Sequence, residues 1–184
     1  MGTRPAGRRS RLPVMKLALR RPLTPLMVAL LALNAGGLAA AYKDAVNGFA
    51  VTPPPGWKQS TYPGTAVVFL TAPVDGFATN INVVVQPLPA GMTQAAYHTL
   101  SLKQIRTLVT DARILSTRAV TLGGVPGNSV VYTGRQGQFK LYFFSTYAVR
   151  GGRAFLVTTT TRQGSEAGAK PVNDAVVKSF QILR

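Results

Sequence analysis

One histidine, His98, and five acids, Asp44, Asp75, Asp111, Glu166 and Asp174, are the imidazole and carboxylate groups of this 184-residue sequence, the side chains most suited to serve as general acid, general base or metal ligand near neutral pH. There is no cysteine, so thiol catalysis, thiolate metal sites and disulfides are all out of reach. A lone histidine excludes a multi-histidine metal centre. Ser-His-Asp chemistry needs three groups in mutual hydrogen-bond reach. Ser101 lies three positions after His98, but Asp111 is more than three turns further along the same expected helix and cannot orient the ring. No two acids fall within five residues of one another, and no loop clusters the oxygen ligands a hard cation needs. The sequence therefore assigns no catalytic, cofactor-binding or metal residue. The enzymatic alternative is a hydrolase assembled from distant residues around His98, which requires His98 to meet an acid in an enclosed polar pocket. Gly123-Gly124-Val125-Pro126-Gly127 lacks the lysine and hydroxyl residue of a phosphate loop, and strands follow it, so it reads as a hairpin turn. Trp57, directly after a proline run, either plugs the sheet edge or offers a binding aromatic. Together with Tyr62 and Arg135 it is a candidate for partner contact.

The formal net charge is +16, from 21 basic and five acidic residues. Seven of the basic groups and none of the acids lie in residues 1–41, which leaves fourteen basic and five acidic groups, a net of +9, on residues 42–184. Arg106, Arg113, Arg118, Arg135, Lys140, Arg150, Arg153 and Arg162 are spread through helix ends, turns and strand edges. That spread argues against nucleic acid, which favours a clustered stripe, although a basic nucleic-acid-binding protein stands as a second alternative. A domain of this charge outside the membrane is still drawn to anionic lipid or wall polymers.

Residues 1–41 have the layout of a secretory signal peptide. A basic region precedes the apolar run Leu26-Met27-Val28-Ala29-Leu30-Leu31-Ala32-Leu33, and Ala39-Ala40-Ala41 supplies the small residues of a cleavage site. Ala39 and Ala41 place the cut before Tyr42. The apolar run is eight residues, sixteen if extended to Ala41, short of the ~20 a spanning helix needs. A true start at Met15 would give a leader of ordinary length. The expected protein is exported to the periplasm, cell envelope or medium and is not an integral membrane protein after cleavage.

Residues 42–184 suffice for one core. Residues 47–51 and 65–70 read as strands, with Pro53, Pro54 and Pro55 stopping the first because proline cannot donate to a ladder. Ile81, Val83 and Val85 alternate with Asn80, Asn82 and Gln86, which predicts a strand with one buried face. Thr93 can cap a helix to about Thr110, with Met92 and Tyr97 at staple positions and Leu102, Ile105, Leu108 and Val109 as its apolar stripe. Strands follow over 114–122, 128–133, 139–150 and 153–161, with turns at 123–127, 134–137 and Gly151-Gly152. A last helix is expected from Pro171 at its first position. The order β-β-β-α-β-β-β-β-α implies an α+β protein: a mainly antiparallel sheet of six or seven strands flanked by two helices.

Gly48-Phe49-Ala50-Val51 followed by Pro55-Gly56-Trp57 resembles the opening of the PsbP-like, or Mog/PsbP/DcrB, superfamily. The resemblance continues through the mid-chain helix, Leu122-Gly123-Gly124-Val125-Pro126-Gly127, Tyr132, Leu141-Tyr142-Phe143-Phe144, Phe155-Leu156-Val157-Thr158 and Lys178-Ser179-Phe180-Gln181-Ile182, covering about 47–183. It implies an α/β/α sandwich and an adaptor or binding role without a common catalytic site. Members include extrinsic photosystem subunits, a small-GTPase binder and bacterial envelope proteins. The sequence departs from the lipoprotein members in lacking a lipobox cysteine. The expectation is a non-enzymatic, exported bacterial binding protein whose partner is an envelope protein, with anionic lipid or wall polymer as the other candidates.

Overall fold

The computed structural model describes residues 40–183. Seven strands form one antiparallel sheet in the order β3 (Lys58–Ser60), β4 (Val67–Leu70), β5 (Asn80–Pro87), β9 (Arg153–Arg162), β8 (Phe139–Arg150), β7 (Val125–Gln136) and β6 (Thr110–Leu122). A smaller sheet of β1 (Tyr42–Asp44), β2 (Phe49–Val51) and β10 (Gln181–Ile182) has β2 in its middle. Helix α1 (Gln94–Leu108) separates β5 from β6, and α2 (Glu166–Ser179) follows β9.

The two faces of the large sheet carry two cores. On one face Tyr97 of α1 packs with Val130, Tyr132, Tyr147, Ala154 and Leu156. On the other, α2 and the small sheet bring Val176, Phe180 and Phe49 against Val83, Ala148, Phe155 and Val157. Residues of opposite parity along β8 and β9 thus serve opposite layers, as the two-residue side-chain period requires. Thr93 caps α1 by accepting the Ala96 N–H at 3.2 Å, and Met92 joins Tyr97 in the same core.

Three expectations need correction. The turn at 123–127 shrinks to Gly123-Gly124, whose φ angles of 58° and 79° suit a two-residue hairpin; Val125, Pro126 and Gly127 already belong to β7. Gly134, Arg135 and Gln136 are strand as well, and the turn falls at Gly137. Packing decides this, because Gly134 lies under Val109 at the end of α1 and has no room for a side chain. Helix α2 begins five residues before Pro171, which is internal to it. The missing N–H forfeits one helical bond, and burial of Ala169, Asn173 and Val176 against the sheet offsets that loss.

Glycine positions give a prediction of opposite signs. A Cβ on Gly127 would strike the Tyr147 carbonyl of the adjacent strand. Gly127→Ala is expected to cost ~1–3 kcal/mol through a forced backbone shift. Gly168, in α2 with open space around it, should instead gain ~0.5–1 kcal/mol on replacement by alanine. Thermal denaturation of the two variants checks both; equal shifts would contradict the packing at Gly127.

Candidate functional site

His98 lies one residue beyond the buried Tyr97 on α1 and is half-buried between helix and sheet. Its Nδ1 shares a 2.7 Å hydrogen bond with the Tyr147 hydroxyl, and its Nε2 a 3.2 Å bond with the Thr117 hydroxyl. Gln86 donates its Nε2–H to the Tyr97 hydroxyl at 2.8 Å, and the Ser101 hydroxyl donates to the Tyr97 carbonyl at 2.8 Å. Tyr97 and Tyr147 meet edge-on, 5.4 Å apart. Burial pushes the Tyr147 phenol up to about 12, and burial likewise raises Tyr97 and Tyr132. Both imidazole nitrogens are therefore engaged by hydroxyls that stay protonated near neutrality. The layer ties α1 to β6 and β8.

The acids are each taken up locally. Asp44 accepts from the backbone and side-chain amides of Asn47 at 2.8 and 2.6 Å. Asp75 pairs with Arg162 at 3.2 Å, Asp111 with Arg135 at 3.4 Å, and Glu166 accepts the Gly164 N–H at 2.6 Å. Asp174 pairs with Lys170 four residues earlier. Burial pushes the Asp174 carboxyl up, but hydrogen bonds from Lys170 and Asn173 and the charges of Lys170 and Arg118 outweigh it and leave it below the usual range. Among the described residues no three His, Asp or Glu side chains are grouped as metal ligands would be.

The cations behave differently from what their spacing in sequence implies. Arg113 is opposite Thr133, Arg118 opposite Ser129, and Arg135 opposite Lys140. By the strand period these positions all point to the α2 side of the sheet. Arg113, Arg118, Arg135 and Lys140 are exposed there, around the half-buried Tyr142, which packs at 5.0 Å on Phe144. A 430 Å³ cleft runs between β6 and α2, with Arg118, Val120 and Gly123–Gly124 on one wall and Asp174, Val177 and Lys178 on the other. A row of positive charge thus lies along one sheet margin beside an open cleft. Alternation along one strand hints at a shared face, but the bulges in the β6–β7 pairing obscure it in the sequence.

Of the residues singled out in the sequence, Trp57 is half-buried, packs against the α2-side core and lines a separate apolar groove of 330 Å³ with Pro53, Pro54, Pro55, Pro171 and Val172. Tyr62 is exposed in the loop between β3 and β4, where its carbonyl accepts the Thr65 hydroxyl at 2.7 Å. Arg135 stands at the end of β7 in the basic row. Trp57 and Arg135 therefore line different features. Ala39 lies outside the described residues, Ala41 is exposed, and Tyr42 opens β1, its ring tilted against Phe49 at 5.8 Å.

A seven-stranded antiparallel sheet with a helix on each face and a three-stranded annex built around the Phe-Ala-Val strand β2 defines the PsbP-like, Mog/PsbP/DcrB class of α+β sandwich. Within that class the chain belongs to the DcrB family, which matches residues 50–179. The fold is shared with cyanobacterial PsbP (CyanoP) of Synechocystis, at a TM-score of 0.62 and 18% identity over 83% of this chain and 98% of that one. LpqN of Mycobacterium tuberculosis aligns at a TM-score of 0.61 and 9% identity, covering 81% and 87% of the two chains. The Saccharomyces cerevisiae Ran-binding protein Mog1p aligns at 0.52 and 11%, covering 78% and 95%. At these identities the likeness is one of fold. No curated protein matches the sequence.

Proposed function

We propose that this DcrB-family member is an exported binding or adaptor protein of the bacterial cell envelope that acts without catalysis. The observation that carries this reading is the basic row of Arg113, Arg118, Arg135 and Lys140 beside the β6–α2 cleft, a surface built for contact. The groups that could do acid–base work support the same reading, since His98 is held by two hydroxyls and each acid serves a local partner. Export is supported by the leader pattern of residues 1–41, and LpqN, of like fold, is described as involved in cell envelope biogenesis. The start of β1 at Tyr42 also suits cleavage there, since a cut after Ala41 leaves the sheet whole. No helix among the described residues is long and apolar enough to cross a membrane. The partner class that fits is another envelope protein.

N-terminal sequencing of the protein recovered from fractionated cells tests export. The expected result is a chain beginning at Tyr42 in the envelope or periplasmic fraction. A chain that keeps residues 1–41 and stays in the cytosol would overturn it.

A further inference from the structure

Resting on the reading of a binding protein, the structure points further, to how the partner is held: we propose that β6 accepts an extended acidic segment of another polypeptide as an eighth strand of the large sheet. Three independent features meet there.

The first is the edge. β6 is the terminal strand on its side of the sheet, thirteen residues long, and among the described residues only β7 pairs along it. Alternate residues of an antiparallel strand turn their main-chain N–H and C=O groups away from the neighbour, so such an edge is a template for one more strand. Bulges and charge can also serve to protect an edge. Here the register shifts are confined to the stretch between Thr110 and Ser116, whereas residues 116–122 pair with β7 without interruption. Seven residues of regular, largely exposed edge remain.

The second is charge. Arg113 and Arg118 stand on one face of that edge strand, four β7 residues apart in register, which is ~14 Å along the sheet. Arg135, which already pairs with Asp111, and Lys140 continue the row toward one end, and Lys178 of α2 adds to it at the other. Guanidinium groups at that spacing suit carboxylates four positions apart on an incoming strand, which fall on one face because side chains share a face every second position. The same charge argues against this chain as its own occupant. Residues 1–41 contain no acid, and a second copy would set basic row against basic row.

The third is space. The 430 Å³ cleft opens beside the regular part of the edge, between Arg118 and Val120 on β6 and Asp174 and Lys178 on α2, and gives the incoming strand's side chains somewhere to lie; the Asp174 carboxylate in its wall is already held by Lys170. Tyr142, an aromatic on this face, is half-buried against Phe144 at 5.0 Å, so the face offers a bilayer no fully exposed aromatic to insert, which favours a strand as occupant.

The test uses the protein as recovered from cells, at low ionic strength, with a short peptide of alternating glutamate and threonine as probe. A peptide of the same composition with its glutamates in one block serves as comparison, and a thymidine oligonucleotide and phosphatidylglycerol vesicles report simple polyanion attraction. The alternating peptide is expected to bind about tenfold more tightly than the block peptide and to slow amide exchange at every second residue of 116–122. The exposed pair Arg113→Glu and Arg118→Glu, made together, should weaken it by at least about tenfold. An alternating lysine–threonine peptide should then bind the double variant. Equal binding of the two glutamate peptides, or no binding of either, overturns the proposal. So does attraction of oligonucleotide or vesicles through the same arginines without edge protection. So does protection of β6 that grows with protein concentration alone, which would mean self-pairing. Failure here leaves the envelope assignment standing, because that assignment is tested by where the chain is found and where it begins.

Discussion

Replacing Phe49 by alanine should remove ~3–5 kcal/mol of stability, a large part of the ~5–15 kcal/mol that holds a domain of this kind together. Phe49 is 0% exposed at the centre of the small sheet, where β2 pairs with both β1 and β10. Its ring stacks on Phe180 at 5.4 Å and 9°, Phe180 in turn meets Phe155 of the large sheet edge-on at 6.4 Å, and Tyr42 leans on Phe49 from the other side. One side chain therefore joins the annex, the end of α2 and the main sheet. Its loss leaves a cavity that three-residue strands cannot close by shifting, since they have few other contacts to re-form. Urea denaturation provides the measurement, with Phe49→Leu as the milder comparison because it keeps most of the apolar volume. A change below about 1 kcal/mol for the alanine variant would mean that the annex is not part of the cooperative unit. The annex also carries β10, against which the Gly123 turn closes so tightly that a Cβ there would meet the Ile182 nitrogen at 2.8 Å. Loosening at Phe49 should consequently reach the end of β6 and weaken peptide binding there.

A second large effect is expected in alkali. Three of the six tyrosines, Tyr97, Tyr132 and Tyr147, are buried on the α1 side of the sheet with their phenols raised above the ordinary value of 10 by burial, Tyr147 to about 12. In the unfolded chain they ionise near 10. Between about 10 and 12 the folded state keeps protons that the unfolded state has released, so stability falls as pH rises. The slope approaches ~1.4 kcal/mol per pH unit for each such group. Below pH 10 both states hold these protons, and the tyrosines contribute no pH dependence. The melting temperature should thus drop steeply above pH 10. Phenolate absorbance should show these three tyrosines ionising only together with unfolding. A smooth titration of all six phenols in a chain that remains folded at pH 12 would contradict the burial of this layer. His98 belongs to the same layer through Tyr147, so Tyr147→Phe should soften the docking of α1; it should also ease the ionisation of Tyr132 a little, since the Tyr147 phenolate adds to burial in holding that phenol up.

Elements whose signals are local can be read from the sequence. β8 and the Gly151-Gly152 hairpin are legible because an aromatic, β-branched run ends in two glycines that tolerate positive φ, observed at 57° and 69°. Helix α1 is legible because its cap, staple and stripe all lie within one continuous stretch, 92–109. The order of these elements sufficed for the α+β class and the family. Other elements carry no such signal. β1, β3 and β10 are two or three residues long and mostly polar or charged, and they exist only because a neighbour supplies the other half of their hydrogen bonds. The strand over 47–51 is real as β2, but the small sheet claims it, and β3 takes the expected place in the large one. Pro171 reads as a helix start until the sheet beneath α2 makes the preceding turn worth forming.

The candidate site divides in the same way. Its composition, basic and poor in acids, histidine and cysteine, is written in the sequence and turns attention from catalysis to contact. Its location is not. Arg113 and Lys140 are 27 positions apart in the chain and come to one face only through the registers of β6 on β7 and β7 on β8. Register is a property of pairs of strands, set by which side chains the two cores bury, and no single segment contains it. The sequence alone thus decided what kind of chemistry this surface offers, and the tertiary structure decided where it stands, because only pairing across strands turns scattered cations into a row.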